Sequence, residues 1–252
     1  MPQVRASARA VRPGAGLTAL ALAAGLLAAL AAGLGGEATS GTFQPPNRRP
    51  ANFEQLDGYA RGPALSEMVR QERPPTEAKN TALAYGLLGV ALGGALGLAG
   101  GLAGRSSSAS LKAGLIGAIL GGAVGALASW PMTLLFYRNL DPESGVLLPL
   151  LIRGGIWLPI GAAAGLAFGV GLGGSRSIVA GLLGGLVGAV IGTVAFELIS
   201  VAGFPLVRLT SPIPGERTPR LLAVFCVAAG TALGTALGSR DVAPKPKPDP
   251  LA

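Results

Sequence analysis

Long apolar stretches alternate with short polar ones along this chain, and the alternation predicts its elements. Six stretches are apolar over about 20 residues, close to the 17–25 that a helix needs to cross a bilayer. Because backbone polar groups in lipid must be hydrogen-bonded within their own segment, each stretch is predicted to be a transmembrane helix. We therefore predict an all-α, polytopic membrane bundle. The six stretches are 14–36, 80–104, 113–136, 154–174, 178–198 and 221–238.

Glycine recurs at every fourth position inside these stretches. Residues four apart share one helix face, and in a membrane a stripe of small residues lets a neighbouring helix approach closely. The pattern predicts glycine-zipper (GxxxG) packing inside the bundle, with the lining of a pore as the alternative. The predicted helix-packing residues are Gly89, Gly93, Gly97, Gly101, Gly117, Gly121, Gly125, Gly161, Gly165, Gly169, Gly173, Gly184, Gly188, Gly192, Gly230, Gly234 and Gly238.

Two predicted hairpins resemble each other. The sequence AGLIGAILGGAVGALA at 113–128 aligns with AGLLGGLVGAVIGTVA at 180–195, and the glycines of the preceding helices align as well. The last apolar segment resembles the first half of the same unit. We therefore predict a tandem two-helix repeat. Since each unit has two spans, both hairpins are expected to have the same orientation, whereas inverted transporter repeats have an odd number of spans per unit.

The polar segments complete the predicted organisation. The first apolar stretch is longer than the 7–15 residues of a signal-peptide core, so we favour an uncleaved anchor over a cleaved signal peptide. Prolines in the polar region that follows predict a loop with short helical turns near 51–57 and 64–72. The apolar run 146–152 is too short to span and is predicted to lie at the interface. In chain order we predict a cytoplasmic N-terminus (1–13), a first span or signal anchor (14–36), an external polar loop (37–79), hairpin repeat 1 (80–140), hairpin repeat 2 (141–209), a loop with the sixth span (210–238) and a proline-rich cytoplasmic tail (239–252).

Charge changes this picture only in orientation. The net charge is +8, but only 13% of residues are charged, and the basic residues are scattered among the ends of apolar segments. They are interpreted as topology determinants, and no nucleic-acid partner is predicted. More of these basic residues lie on the side of the membrane where the N-terminus is predicted than in the short loops of the opposite side. This distribution favours a cytoplasmic location for both termini. We predict an integral protein of a bacterial inner (plasma) membrane. Its predicted partners are membrane lipid and, beyond lipid, other membrane proteins or a second copy of the chain.

Candidate chemistry is sparse. The sequence has no histidine and one cysteine, Cys226, so His-based catalysis and an intramolecular disulfide are excluded. It has no GxxxxGK[ST] phosphate loop, no nucleophile beside a base and no metal-ligand spacing. We therefore predict no catalytic residue, no cofactor and no metal, and a protein that is not an enzyme.

Two ionisable residues lie beside apolar segments. Arg153 directly precedes the stretch 154–174, and Glu197 lies at the end of 178–198. Ionisable groups within a membrane raise the hypothesis of an ion or proton path. Their predicted position at the outer ends of two helices favours an interfacial ion pair instead.

The function predicted from these features is that of a non-enzymatic multi-pass membrane protein, a structural, assembly or scaffold component. The alternative is a small transporter or channel with the glycine-lined helices around a permeation path. That alternative predicts water-accessible glycine faces and a discontinuous helix near Pro149, Pro159 or Pro205.

Overall fold

The computed structural model describes residues 13–39, 41–44, 58–104, 106–139, 147–204 and 213–242. Within these ranges the chain is all-helical, with no strand. All six helices contain a stretch long and apolar enough to cross a membrane, which confirms the predicted multi-pass, all-α architecture and indicates an integral membrane protein. The helices are α1 (Pro13–Thr39), α2 (Gly58–Ala103), α3 (Ser107–Arg138), α4 (Leu147–Leu172), α5 (Ser175–Gly203) and α6 (Arg217–Gly238).

The helices run alternately up and down, so the bundle has two ends. We call the end where α1, α3 and α5 begin the proximal end, and the other the distal end. At the proximal end Arg240, just after α6, donates a hydrogen bond to Thr18 of α1 at 3.0 Å. At the distal end Arg220 of α6 lies 3.1 Å from Glu37 of α1. These two contacts close the first and last helices against each other.

Helix α4 lies at the centre of the bundle. It packs against α2, α3 and α5 and more weakly against α6, while α1 packs against α2 and α6. In the most apolar 18-residue stretch of α4, 67% of the residues are buried, compared with 28% in that of α3. Helix α4 is therefore the core helix, and α3 is peripheral. Most of the large apolar side chains of the core come from α4 and α2, among them Ile152, Ile156, Ile160, Phe168, Leu88, Leu92 and Leu96, and alanines of α1 and α6 complete it.

Helix α2 extends into the region predicted as a loop. It begins at Gly58, so the turn predicted near 64–72 is part of one continuous helix through Pro74 and Pro75; the turn predicted near 51–57 lies outside the described residues. Each proline removes one backbone hydrogen bond, which was the reason to predict a loop. Adding residues to an existing helix is far more favourable than nucleating a new one, and the apolar part of α2 supplies that nucleus.

Helix α4 also begins earlier than predicted. Residues 147–152 of the run predicted to lie at the interface form its first turns, and Pro149 is the third residue of the helix. The first four N–H groups of a helix have no intrahelical partner, so proline costs no hydrogen bond there. Pro219 holds the same position in α6. Pro149 and Pro219 therefore mark the starts of α4 and α6 and do not break a helix.

The α4–α5 turn changes the role of one predicted packing residue. Gly173 has φ +83° and Gly174 has φ +87°, and a β-carbon on either would meet nothing within 4 Å. Positive φ is costly for residues with a β-carbon. Gly173 is thus required by the turn, in contrast to the expectation that it packs against another helix.

Candidate functional site

The α2–α3 contact is made by backbone against backbone. A β-carbon added at Gly89 would come under 3.0 Å from the carbonyl oxygen of Gly121, and one added at Gly93 would do the same at Gly117. Real β-carbons essentially never approach other atoms so closely. At these positions the space between the two helices therefore admits only hydrogen.

Helix α5 presents glycine on two faces. Gly181 and Gly185 face the α4 backbone, where β-carbons added at Gly165 and Gly161 would collide with their carbonyl oxygens. The predicted stripe, which begins at Gly184, faces α6 instead. The α4–α5 hairpin therefore uses a glycine face different from the one that the alignment with the α2–α3 hairpin predicts.

The α5–α6 contact has the same close geometry. β-Carbons added at Gly184 and Gly188 would collide with the carbonyl oxygens of Gly234 and Gly230, and one added at Gly192 with that of Cys226. The remaining predicted glycines, Gly173 apart, also lie where a β-carbon would come under 3.0 Å from another helix: Gly97 at Ala113, Gly101 at Ser110, Gly125 at Tyr85, Gly169 at Ser177 and Gly238 at Ala180.

Sequence reasoning missed other glycines that make equally close contacts with neighbouring backbone, four of them inside α2, α4 and α5. Gly100 of α2 meets Phe168 of α4, and Gly171 of α4 meets the backbone of α2 at Gly101. Gly181 and Gly185 were missed as well. The available signal was the adjacent pairs Gly100–Gly101 and Gly184–Gly185, because consecutive helical residues point about 100° apart and so present small surface on two faces.

A charged pair lies inside the distal half of the bundle. Arg153 of α4 is 1% exposed, and its Nη1 lies 2.5 Å from Oε1 of Glu197, which is 14% exposed. Because α4 begins at Leu147, Arg153 lies six residues, about 9 Å, inside the helix and not before it. The structure thus brings the two predicted residues together, with the arginine buried inside the bundle.

Aromatic side chains enclose this pair. The Arg153 guanidinium lies 5.1 Å from the centroid of the Phe196 ring, within cation–π range. Trp157 packs edge-on against Phe196 at 5.5 Å and against Tyr85 at 6.5 Å. Trp157 is 1% exposed, so it belongs to the core.

The chemistry available to the ion pair is electrostatic. A buried charge is tolerated when it is paired and hydrogen-bonded, and the low dielectric around the pair strengthens its attraction. Within the described ranges no group of three or more His, Cys, Asp or Glu side chains lies close enough together to hold a metal ion. The pair therefore fixes α4 against α5 near the distal end.

A second charged cluster, not predicted from the sequence, lies at the distal end itself. Glu37 of α1 lies 3.1 Å from Arg220 and 3.9 Å from Arg217. Beside it is a cavity of about 240 Å³ whose lining includes Arg220, Arg73 and Glu77. These residues come from α1, α2 and α6, so only the folded chain brings them together.

Comparisons of the chain with protein-family models, with curated proteins and with solved structures found no match.

Proposed function

We propose that the protein is a non-enzymatic membrane scaffold or assembly component, built as a glycine-zipper bundle. The observation that carries this proposal is the occlusion of the glycine stripes. In the described helices each predicted stripe lies against the backbone of a neighbouring helix, with no room for a methyl group over most of its length. Such surfaces hold helices in fixed positions, and a fixed bundle can present its outer faces to other membrane components.

The same observation weighs against the transporter or channel. A glycine-lined path requires water beside the stripes, whereas neighbouring backbone occupies that space. The alternative also predicts a discontinuous helix, but α4 is continuous through Pro159, and Pro149 lies in its first turn. Pro205 lies outside the described residues.

A tandem repeat is part of the proposal. Helices α2 to α6 each pack against the next in chain order, and α4 contacts both α2 and α6. This succession is expected if α2–α3 and α4–α5 are two copies of one hairpin and α6 is half of a third. The glycine face of α5 that begins at Gly184 then positions α6, because it supplies a further backbone-to-backbone contact.

The proposed partners are lipid and other membrane proteins, or a second copy of the chain. The outer faces of α3 and α5 carry exposed large apolar side chains, including Ile119 and Leu127 on α3 and Val187 and Ile191 on α5. We place the protein in a bacterial inner membrane with both termini in the cytoplasm, on the distribution of basic residues in the short loops.

Accessibility of the stripes distinguishes the two functions. In a Cys226→Ala background we expect Ala164→Cys and Ala232→Cys, both at fully buried positions, to resist a membrane-impermeant thiol reagent. Ser175→Cys, exposed at the first residue of α5, should react readily and serves as the control. Labelling of either buried position at the rate of Ser175→Cys would contradict the proposal and favour a permeation path.

Crosslinking in cells tests the scaffold role directly. A photoreactive residue at Ile119 or Ile191 is expected to give a discrete protein adduct from at least one of the two outer faces. As a control, the same photoreactive residue replaces Leu34, which is exposed on α1 and lies on neither of the two tested faces. Lipid adducts alone from both α3 and α5 would contradict an assembly role.

A further inference from the structure

Two adjoining cavities form an amphipathic space at the distal end. The larger, about 240 Å³, lies among α1, α2, α3 and the start of α6, and its lining includes Arg73, Glu77, Tyr137 and Arg220. The smaller, about 30 Å³, is lined mostly by apolar side chains of α1, α2, α4 and α6. Arg220 lines both. A polar space therefore continues into an apolar one at the ends of the membrane helices.

Arg220 lies at the junction with its donors incompletely used. Its Nε is 3.1 Å from Glu37, within ion-pair distance, but is buried without a hydrogen bond, because the geometry of that approach is poor. Its Nη2 donates a long hydrogen bond, 3.3 Å, to the carbonyl oxygen of Gly215. A guanidinium has five N–H donors, and a buried donor that makes no hydrogen bond is unfavourable even beside an opposite charge. An additional acceptor in the cavity would satisfy it.

Arg73 can supply a second set of donors at little cost. Its Nε lies 3.8 Å from Glu77, too far for a hydrogen bond, and the two side chains are 59% and 36% exposed. Exposed pairs of this kind contribute little to stability, so Arg73 can leave Glu77 for a ligand. Arg73 also has a side-chain hydrogen bond with Tyr137 of α3, which leaves it donors to spare among its five N–H groups. Of the three charged residues that line the larger cavity, two are thus arginines with donors left for a ligand.

We infer that this space binds the phosphate group of a phospholipid headgroup. Guanidinium groups bind phosphate through two parallel hydrogen bonds, and Arg73 and Arg220 provide two such groups. The apolar cavity beyond Arg220, about 30 Å³, has room for about one methylene group of the lipid. That cavity favours a lipid over a free phosphate, because a free phosphate would leave it empty. The inference stands on the two cavities and does not depend on the scaffold role.

The test is the thermal stability of the purified full-length protein in a non-ionic detergent. Titration with phosphatidylglycerol is expected to raise Tm to a plateau. Arg220→Gln and Arg73→Gln should each weaken the apparent affinity about tenfold, the effect of losing one charge-assisted interaction. Arg138→Gln is the matched control, because Arg138 is exposed at the distal end of α3 and lines neither cavity.

Two further ligands separate the sources of phosphate. Diacylglycerol, which lacks the phosphate, is expected to leave Tm unchanged, and glycerol 3-phosphate is expected to stabilise far less than the lipid. Stabilisation by glycerol 3-phosphate equal to that by the lipid would overturn the lipid assignment. Equal responses of the wild type and Arg73→Gln would overturn the site. Arg73 is exposed, so its variant keeps the test decisive even if Arg220→Gln does not fold.

Discussion

Replacing Gly89 by alanine is expected to lower the free energy of unfolding by about 2–3 kcal/mol, the upper part of the usual range for overpacking a filled contact. A β-carbon at Gly89 would collide with the Gly121 carbonyl, and backbone cannot rotate away as a side chain can. The helices must then separate, which also loosens the neighbouring contact of Gly93 with Gly117. The measurement is reversible unfolding in mixed micelles of mild detergent and SDS.

Gly86→Ala provides the matched control. Gly86 is three residues from Gly89 on the same helix, and its β-carbon would meet Ala126 and Gly122 at 3.6 Å, an ordinary van der Waals distance. We expect this variant to be as stable as the wild type or slightly more so, since alanine also favours the helix. If Gly89→Ala proved as stable as Gly86→Ala, the α2–α3 glycines would not set the helix separation, and the zipper would have to be abandoned.

Removing the arginine of the buried ion pair is expected to lower the free energy of unfolding by about 3 kcal/mol or more. Replacing Arg153 by methionine leaves the Glu197 carboxylate without its partner inside the bundle, and breaking a buried pair is strongly destabilising for that reason. Glu197→Gln should cost less, because Glu197 is 14% exposed and its neutral amide can still accept a hydrogen bond from Arg153. The same mixed-micelle unfolding measures both variants.

The double variant Arg153→Met/Glu197→Met separates pairing from packing. With both charges gone, neither is buried alone, and apolar replacement of a complete pair is often neutral. We expect it to recover most of the stability lost in Arg153→Met. The charge-swapped variant Arg153→Glu/Glu197→Arg should also recover part of it. If the losses simply added in the double variant, the two residues would not stabilise the protein as a pair.

The apolar pattern was sufficient to predict the helices because the membrane imposes a length and composition that few other structures satisfy. It was less reliable at their ends. The prolines before the second apolar stretch predict a loop, whereas the chain is helical from Gly58, and the apolar run predicted to lie at the interface contributes residues 147–152 to α4. Proline opposes a helix only where the missing N–H would have been bonded, and the sequence does not show which turn that is.

The position of Arg153 within α4 could not be predicted without those helix boundaries. Once α4 begins at Leu147, the arginine lies within the helix, and Trp157, one turn later, lies within the core. Glu197 was recognised as a partner from its place on the neighbouring predicted span. Burial of the pair could not be foreseen, because it depends on the packing of α2, α4 and α5, which sets Arg153 over the Phe196 ring and Trp157 against Tyr85.

What the sequence determined by itself is local. Apolar length predicted six spans, and glycine spacing predicted small helix faces, since both depend only on residues close together in the chain. Tertiary structure alone decided which face meets which helix, namely that Gly181 and Gly185 meet α4 while the stripe from Gly184 meets α6. A helix with two small faces can pack on either, and the choice depends on where the other helices lie. The distal cavities were decided in the same way, because Arg73 and Arg220 are brought together only by the packing of α2 and α6 around α1.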